Sequence, residues 1–388
     1  MKSSRPPIVD VLEGFGEYFA ELDDDRDPRK TKHALLNVLL MAVLGVLCGA
    51  ENWVDLALFA RSKADWLATF LVLPHGVPGK DTFRRAFEAL APSAFERCFR
   101  RWIAALVGPL AGCQVPLDGK TLRGALDHKG ALPLHLVHAY VVEHQALFAQ
   151  AAGAGKGQEL DGLYDLVRCL DVRGALISID ALGCQRELAA LIRTREADFL
   201  LCVKENQPTL HAEVGRALLD ARTAGTADDH ARTEEVRHGR HEVREAYVVH
   251  DPATCPVVAT WPDVRSLILM ERTCVRGDDV ALTTHFYISS IPGVTATHAL
   301  ESIRAHWQVE NGLHWTLDVA FREDHSRIHS ENGARNFAVL RRVTFNALRR
   351  EKTVKAGMRA KQKCCGWDHD YLLSVLRLMT PEDLVAPP

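Results

Sequence analysis

Apolar positions recur at helical spacing through two early stretches, "NWVDLALFARSKADWLATFL" (52–71) and "DTFRRAFEALAPSAFERCFRRWIAAL" (81–106). Residues 33–110 therefore read as helical, and residues 1–30, with prolines and acidic clusters, as a loose arm. Asp81 is the expected N-cap after the turn "PHGVPGK". A helix–turn–helix with Lys80, Arg84 and Arg85 at its second start would suit a DNA groove, and would equally suit an ordinary helical hairpin.

From residue 113 the period changes. "CQVPLDG", "LHLVHAYVVEH" and "ALFAQAAGAG" read as strands, the last two as a hairpin. "GLYDLVRCLDVRG" reads as a short helix ending at Gly174. "ALISIDA" is an apolar run closed by Asp180, the pattern of a buried strand. A helix over "CQRELAALIRTREA" and a strand over "DFLLCVK" follow. Strands joined by crossover helices give an α/β layer with a mixed sheet. Three strand-like runs, "HEVREAYVVHD", "SLILMERTCV" and "ALTTHFYIS", form a β-rich insertion. Beyond Pro292 the chain reads as helical over 295–318 and mostly so over 321–351. The expected division is a helical N-terminal domain over 1–110, an α/β core begun over 111–224, the insertion over 225–292 and closing helices over 293–388.

Composition narrows this little. A chain of 388 residues, 47% hydrophobic and 25% charged, fits a globular protein of two or three domains. The longest apolar run, residues 34–50, is too short for a membrane span and contains Asn37, so a buried helix is expected. Ten cysteines without a CxxC pair, and no signal-peptide pattern, fit reduced thiols in a reducing cytoplasm. Net charge is −3, yet basic residues crowd locally. Arg341, Arg342, Arg349 and Arg350 lie in a basic run from Arg335 to Lys363, and Arg26, Arg29, Lys30 and Lys32 form a smaller group. Such excess neutralises phosphates, or is a solvated helix face.

Three carboxylates stand out by position. Asp118 and Asp180 close predicted strands, where neighbouring strand ends open on one crevice. Glu310 lies in a helix that Trp307, Leu313, Trp315 and Leu317 mark as packed. Three hard oxygen donors suit Mg²⁺ or Mn²⁺, and two such ions stabilise both oxygens of a phosphoryl displacement. Each aspartate alone is equally a turn cap, and most helix glutamates are solvated. His306, Glu310 and His314, four apart, also allow a zinc site, although they lack the His-Glu-x-x-His order of a zinc hydrolase.

"LDGKTLRG", "SIDALGCQRE", "HWQVENGLHWTLDVAFREDHSRI" and "NFAVLRRVTFNALRREK" resemble the H-repeat-associated, ISAs-type insertion-sequence transposases, within the DDE transposases. The resemblance covers nearly the whole chain. It implies a ribonuclease-H-like core, a helical N-terminal domain, and Asp118, Asp180 and Glu310 as a metal-binding triad with two ions. The β-rich segment would interrupt the core before the glutamate helix. It implies cleavage and strand transfer at DNA element ends, by a protein that acts as a dimer on terminal repeats and target DNA and gathers with the nucleoid. Lys120, Arg123, Lys204, Asn206, His306, His314 and the four arginines are the expected DNA contacts. The alternatives are a catalytically decayed DNA-binding relic and a ribonuclease-H-like nuclease. Against the Tyr, Arg, Glu, Lys signature of related enzymes, this chain has Ile303, His306 and Leu317 around Glu310. "KENQ" places Glu205 where relatives often have glycine, and Gly312 costs about 1 kcal/mol inside an α-helix.

Overall fold

The computed structural model describes residues 9–125, 134–153, 159–237, 239–250, 252 and 255–380. Residues 1–8 of the expected arm, the tail of the third strand-like run at 154–155, and Asp251 lie outside the described residues. The N-terminal region is helical: α1 Val9–Phe19, α2 Leu35–Leu47, α3 Trp53–Ser62, α4 Ala64–Leu67, α5 Lys80–Ala89 and α6 Pro92–Val107. The arm is not loose throughout. Val11, Phe15 and Phe19 recur every four residues and bury one stripe of α1, with Phe15 and Phe19 edge-on to Trp102 of α6. The N-cap of α5 is Gly79, and Asp81 sits in its first turn. The apolar run forms α2, buried from Val38 to Leu47.

Strands β1 Gln114–Thr121, β2 His135–Val141 and β3 Ala146–Gly153 lead to α7 Glu159–Cys169, β4 Leu176–Ile179, α8 Arg186–Thr194, β5 Asp198–Val203 and α9 Pro208–Ala224. An antiparallel meander follows, β6 Asp229–Arg237, β7 Arg240–His250, β8 Ser266–Arg276 and β9 Asp279–Ser289. It has four strands where three were expected. β6, "DHARTEEVR", carries too little apolar patterning to be read as a strand. Among the described residues the nine strands form one sheet, ordered β3-β2-β1-β4-β5-β9-β8-β7-β6. β1, β4 and β5 run parallel, and the remaining neighbours are antiparallel. The meander thus extends the core sheet through β5–β9 pairing, from Leu200 opposite Ser289 to Val203 opposite Phe286.

Closing the chain are α10 Ala296–His306, a π-helical turn Val309–His314, α11 Trp315–Val319, α12 Glu331–Arg350, α13 Met358–Trp367 and α14 His369–Arg377. Helix α10 seats Ala296, Ala299, Leu300 and Ile303 in a cluster with Leu200, Val248, Ile268 and Tyr287 of the sheet. Helix α12 is buried on nearly every side and joins the N-terminal helices to the sheet. Asn336 donates to the carbonyls of Phe87 and Leu90, both at 2.8 Å. Asn346 accepts from Leu147 N (2.9 Å) and donates to Leu147 O (2.8 Å), satisfying the open edge of β3 as another strand would. This mixed sheet flanked by helices, with a helical N-terminal region, is the ribonuclease-H-like α/β fold expected from sequence.

Candidate active site

Parallel pairing aligns Leu117 of β1 with Ile179 of β4, so the next residues, Asp118 and Asp180, stand side by side where β4 ends. Asp118 does not end its own strand; pairing with β2 carries β1 on to Thr121. Asp180 is half exposed, and its Oδ1 accepts from Leu182 N at 2.7 Å, capping the turn Ala181–Gly183. That carboxylate is both a turn cap and a wall of the cleft. The cleft beside it is lined by Asp180, Lys204, His285, His306, Trp307 and Glu310, among others.

Glu310 reaches this cleft from the π-helical turn. Gly312, unfavourable in an α-helix, lies inside that turn, where its missing Cβ faces the Tyr140 hydroxyl. The segment is therefore not one packed helix. Leu313 and Leu317 are buried, but Trp307 and Trp315 are 41% and 61% exposed. Upstream, α10 is pinned under the sheet by a polar bridge. Gln114 Nε2 donates to Ser178 Oγ (2.9 Å) and to Ser302 O (2.8 Å), and His306 Nδ1 lies 3.1 Å from the same hydroxyl.

The three carboxylates oppose one another electrically. Asp118 is pushed up to about 8, first by burial, then by the negative charges of Glu310 and Asp180. Burial also raises Glu310, with Asp180 adding to the shift and Lys204 opposing it. Lys204 Nζ lies 3.9 Å from Asp180 Oδ2 and is half exposed. Among the described residues, no three His, Cys, Asp or Glu side chains are arranged as they stand around a single ion position, the His306–Glu310–His314 set included. The donor chemistry fits a hard divalent cation: a largely buried carboxylate, Asp118, stands beside two exposed ones, Asp180 and Glu310, and cation binding relieves their repulsion. The thiol lining the cleft, Cys202, is pushed up to about 11 by burial and stays protonated.

The glycines of "LDGKTLRG" are required by close approach. A Cβ on Gly119 would collide with the Glu159 carboxylate and the His135 ring, themselves paired at 3.2 Å. A Cβ on Gly124 would come within 2.5 Å of the Asp324 and Ser326 carbonyls. Lys120, expected at DNA, is buried instead. Its Nζ bonds Asp318 (2.7 Å) and lies 3.3 Å from Asp324, tying β1 to the segment after Glu310.

Other expected DNA contacts are also corrected. Arg341 and Arg342 are fully buried, and both face Glu323. Burial opposes the Glu323 charge, but Arg342 and Arg341 outweigh it and hold that carboxyl below its ordinary range. Arg341 also stacks over Phe337, 4.5 Å from the ring centre. Arg349 and Arg350 are half buried; Arg349 bonds the Tyr140 hydroxyl, and Arg350 reaches Leu106 O at 3.5 Å. A helix buried on nearly every side has no solvated face on which four arginines can meet phosphate together. His314 is enclosed, with Nε2 3.0 Å from His138 Nδ1 and Nδ1 3.5 Å from Asp118 Oδ2. Burial pushes His306 down to about 4, so near neutral pH it offers no positive charge to phosphate. Asn206 is exposed, but its amide donates to Ala181 O at 2.6 Å. Gln207 similarly holds Cys184 O at 3.0 Å, so "KENQ" braces the turn after Asp180. Arg123 and Lys204 remain open to solvent.

Sequence reasoning missed His138, Glu323 and the Lys120 clasp. The available signals were polar residues inside the apolar strand "LHLVHAYVV" and the acids closing "LDVAFRED". Among the described residues, no helix is long and apolar enough to cross a membrane.

Comparison with known proteins gives the same outline. Residues 112–347 match the model for the "Transposase DDE domain", and residues 16–103 match the "DDE_Tnp_1-associated" model. The chain is 32% identical to "Putative transposase YncI" of Escherichia coli O157:H7, over 93% of each chain. It is 31% identical to "H repeat-associated putative transposase YhhI" of Escherichia coli strain K12, over 93% of this chain and 97% of that one. The chain belongs to the DDE transposase family, on its H-repeat-associated branch.

Proposed function

We propose that this chain is an active insertion-sequence transposase that cuts DNA at its element's ends and joins the freed ends to target DNA. The supporting observation is the approach of Asp118 in β1, Asp180 just past β4 and Glu310 in the π-helical turn, close enough that Glu310 and Asp180 raise the proton affinity of Asp118, and Asp180 that of Glu310. Such mutual repulsion is costly without a compensating cation.

Asp118, Asp180 and Glu310 are the residues that would hold a pair of divalent ions, Mg²⁺ or Mn²⁺. When bound, these supply charge stabilisation for in-line attack at phosphorus. The protein's own part is orientation. The Asp180 cap fixes one carboxylate, α10 aims Glu310, and the Lys120 clasp holds β1 against the segment beyond it. Lys204 at the cleft and Arg123 beside Asp324, both open to solvent, take backbone phosphates. Their number is small for a DNA enzyme, so the N-terminal helices and the exposed Lys352, Lys355 and Lys363 share the duplex. The protein works in the bacterial cytoplasm, gathers with the nucleoid when bound, and pairs two copies across two ends.

The test is nicking of a duplex carrying the element's terminal repeats, with and without Mg²⁺ or Mn²⁺. Wild-type protein nicks only with the ion, and D118N, D180N and E310Q each bind DNA without nicking it. Ion-dependent nicking retained by all three variants would remove the assignment. Binding without nicking by the wild type would favour a relic, and nicking indifferent to the terminal repeats a general nuclease.

A further inference from the structure

A chain of buried polar groups runs from the core to Asp118. Glu323 grips Arg342; Arg342 NH2 donates to His138 Nε2 at 3.0 Å; His138 Nδ1 lies 3.0 Å from His314 Nε2; and His314 Nδ1 lies 3.5 Å from Asp118 Oδ2. Its members come from β2, the π-helical turn, the short turn at Glu323 and α12, and their burial withdraws His314 and Arg342 from the expected DNA contacts.

The polarity of this chain is fixed at one end. A guanidinium has donors and no acceptor, so His138 Nε2 must present its lone pair to Arg342. His138 then carries its proton on Nδ1 and donates it to His314. His314 Nε2 must accept, which leaves the His314 proton on Nδ1, directed at Asp118. Each ring is neutral and each has one permitted tautomer. Protonating either ring would set two donors face to face, beside the Arg342 charge. Burial and Arg342 together hold His138 far below the ordinary histidine range, in keeping with this arrangement.

We infer that His138 and His314 are positioning residues: the Arg342–His138–His314 relay presents a fixed N–H to one oxygen of Asp118 and leaves the other oxygen to the cleft. This rests on the proposed role of Asp118. At 3.5 Å the last link is longer than a formed hydrogen bond, and a shift of about half an ångström closes it. Hydrogen bonds of this kind orient ligating carboxylates and are typically worth about 10–100-fold in metal affinity. Cross-strand pairing explains the placement, since His138 is the register partner of Asp118 and the two share one face of the sheet.

The direct test is long-range ¹H–¹⁵N correlation of histidine-labelled wild-type protein, with H138Q and H314Q identifying the two rings. Both rings are expected as the Nδ1–H tautomer, although Nε2–H is the usual form in water. Either ring found as Nε2–H, or doubly protonated at neutral pH, overturns the relay. Mn²⁺ affinity, measured by calorimetry without DNA, supplies the second readout. H138F is expected to weaken binding about 10–100-fold, and H314N, which keeps a donor near the Nδ1 position, to weaken it less than H314L. Unchanged affinity in H138F and H314L, with D118N impaired, sinks the relay and leaves the metal-site reading standing. D118N binding Mn²⁺ as tightly as wild type sinks that reading instead, while the tautomers still report on the hydrogen-bond chain.

Discussion

Asp118 and His138 face each other across the antiparallel β1–β2 pair, so the carboxylate and the imidazole lie on one face of the sheet. That face is largely closed to water, which sets the behaviour of the acid. Asp118 is pushed up to about 8 by burial and by Glu310 and Asp180. A carboxyl raised in the folded state contributes its full stability below the unfolded value near 4 and loses it as pH rises through about 8. Without divalent ions, thermal stability of the wild type should therefore fall across that window relative to D118N. The difference at pH 8 is expected on the order of a few kcal/mol, with D118N the more stable. Parallel melting curves of the two proteins from pH 4 to pH 8 would contradict the burial of this charge.

Arg342 belongs to the core. R342M takes from Glu323 its hydrogen-bonded partner, leaving Arg341 and the more distant Lys120 charge, and should cost about 3–5 kcal/mol in urea unfolding. R342M/E323L should recover much of that loss, because both buried charges leave together. A phosphate-contacting arginine would instead leave the unfolding midpoint unchanged and weaken DNA binding.

Gly119 leaves room for the Glu159–His135 pair over β1. G119A should destabilise the protein by about 1–3 kcal/mol and impair nicking. E159A added to G119A should return part of the stability, a coupling that a double-mutant cycle measures directly. Strictly additive effects would place the crowding elsewhere.

Lys204 is an exposed cation at the cleft, and Arg123 is an exposed cation beside Asp324. R123A and K204A should each weaken binding to every DNA sequence and lower the salt slope by about 1, as read by fluorescence anisotropy over a salt series. R349A and R350A should leave that slope unchanged and lower stability instead, since their partners are Tyr140 and the Leu106 carbonyl.

The acids were legible because each interrupts a pattern: Asp180 ends an apolar run, Asp118 follows one, and Glu310 stands in a motif dense with aromatic residues. Their surroundings were not. Charge counting along 335–363 could not separate Arg342, held by Glu323, from Lys352, which is exposed, because density along the chain does not say which side chains find buried partners. Helical periodicity hid the π-helical turn, which changes the helical phase over six residues. Helix α1 had a readable stripe in Val11, Phe15 and Phe19, but the acidic cluster beside it dominated the local composition. Asn206 of "KENQ" reads as a phosphate ligand and instead, with Gln207, braces the chain that carries Asp180, a role visible only once Ala181 and Asn206 are neighbours in space.

Helix α12 carries a consequence for synthesis. It is made after the N-terminal helices and the sheet, yet it occupies the centre that they share. A nascent chain ending before it already contains all three cleft acids, but lacks Arg342 to hold Glu323 and Asn346 to complete the edge of β3. A gene copy cut short before this helix therefore encodes every cleft acid without the scaffold that holds their surroundings together.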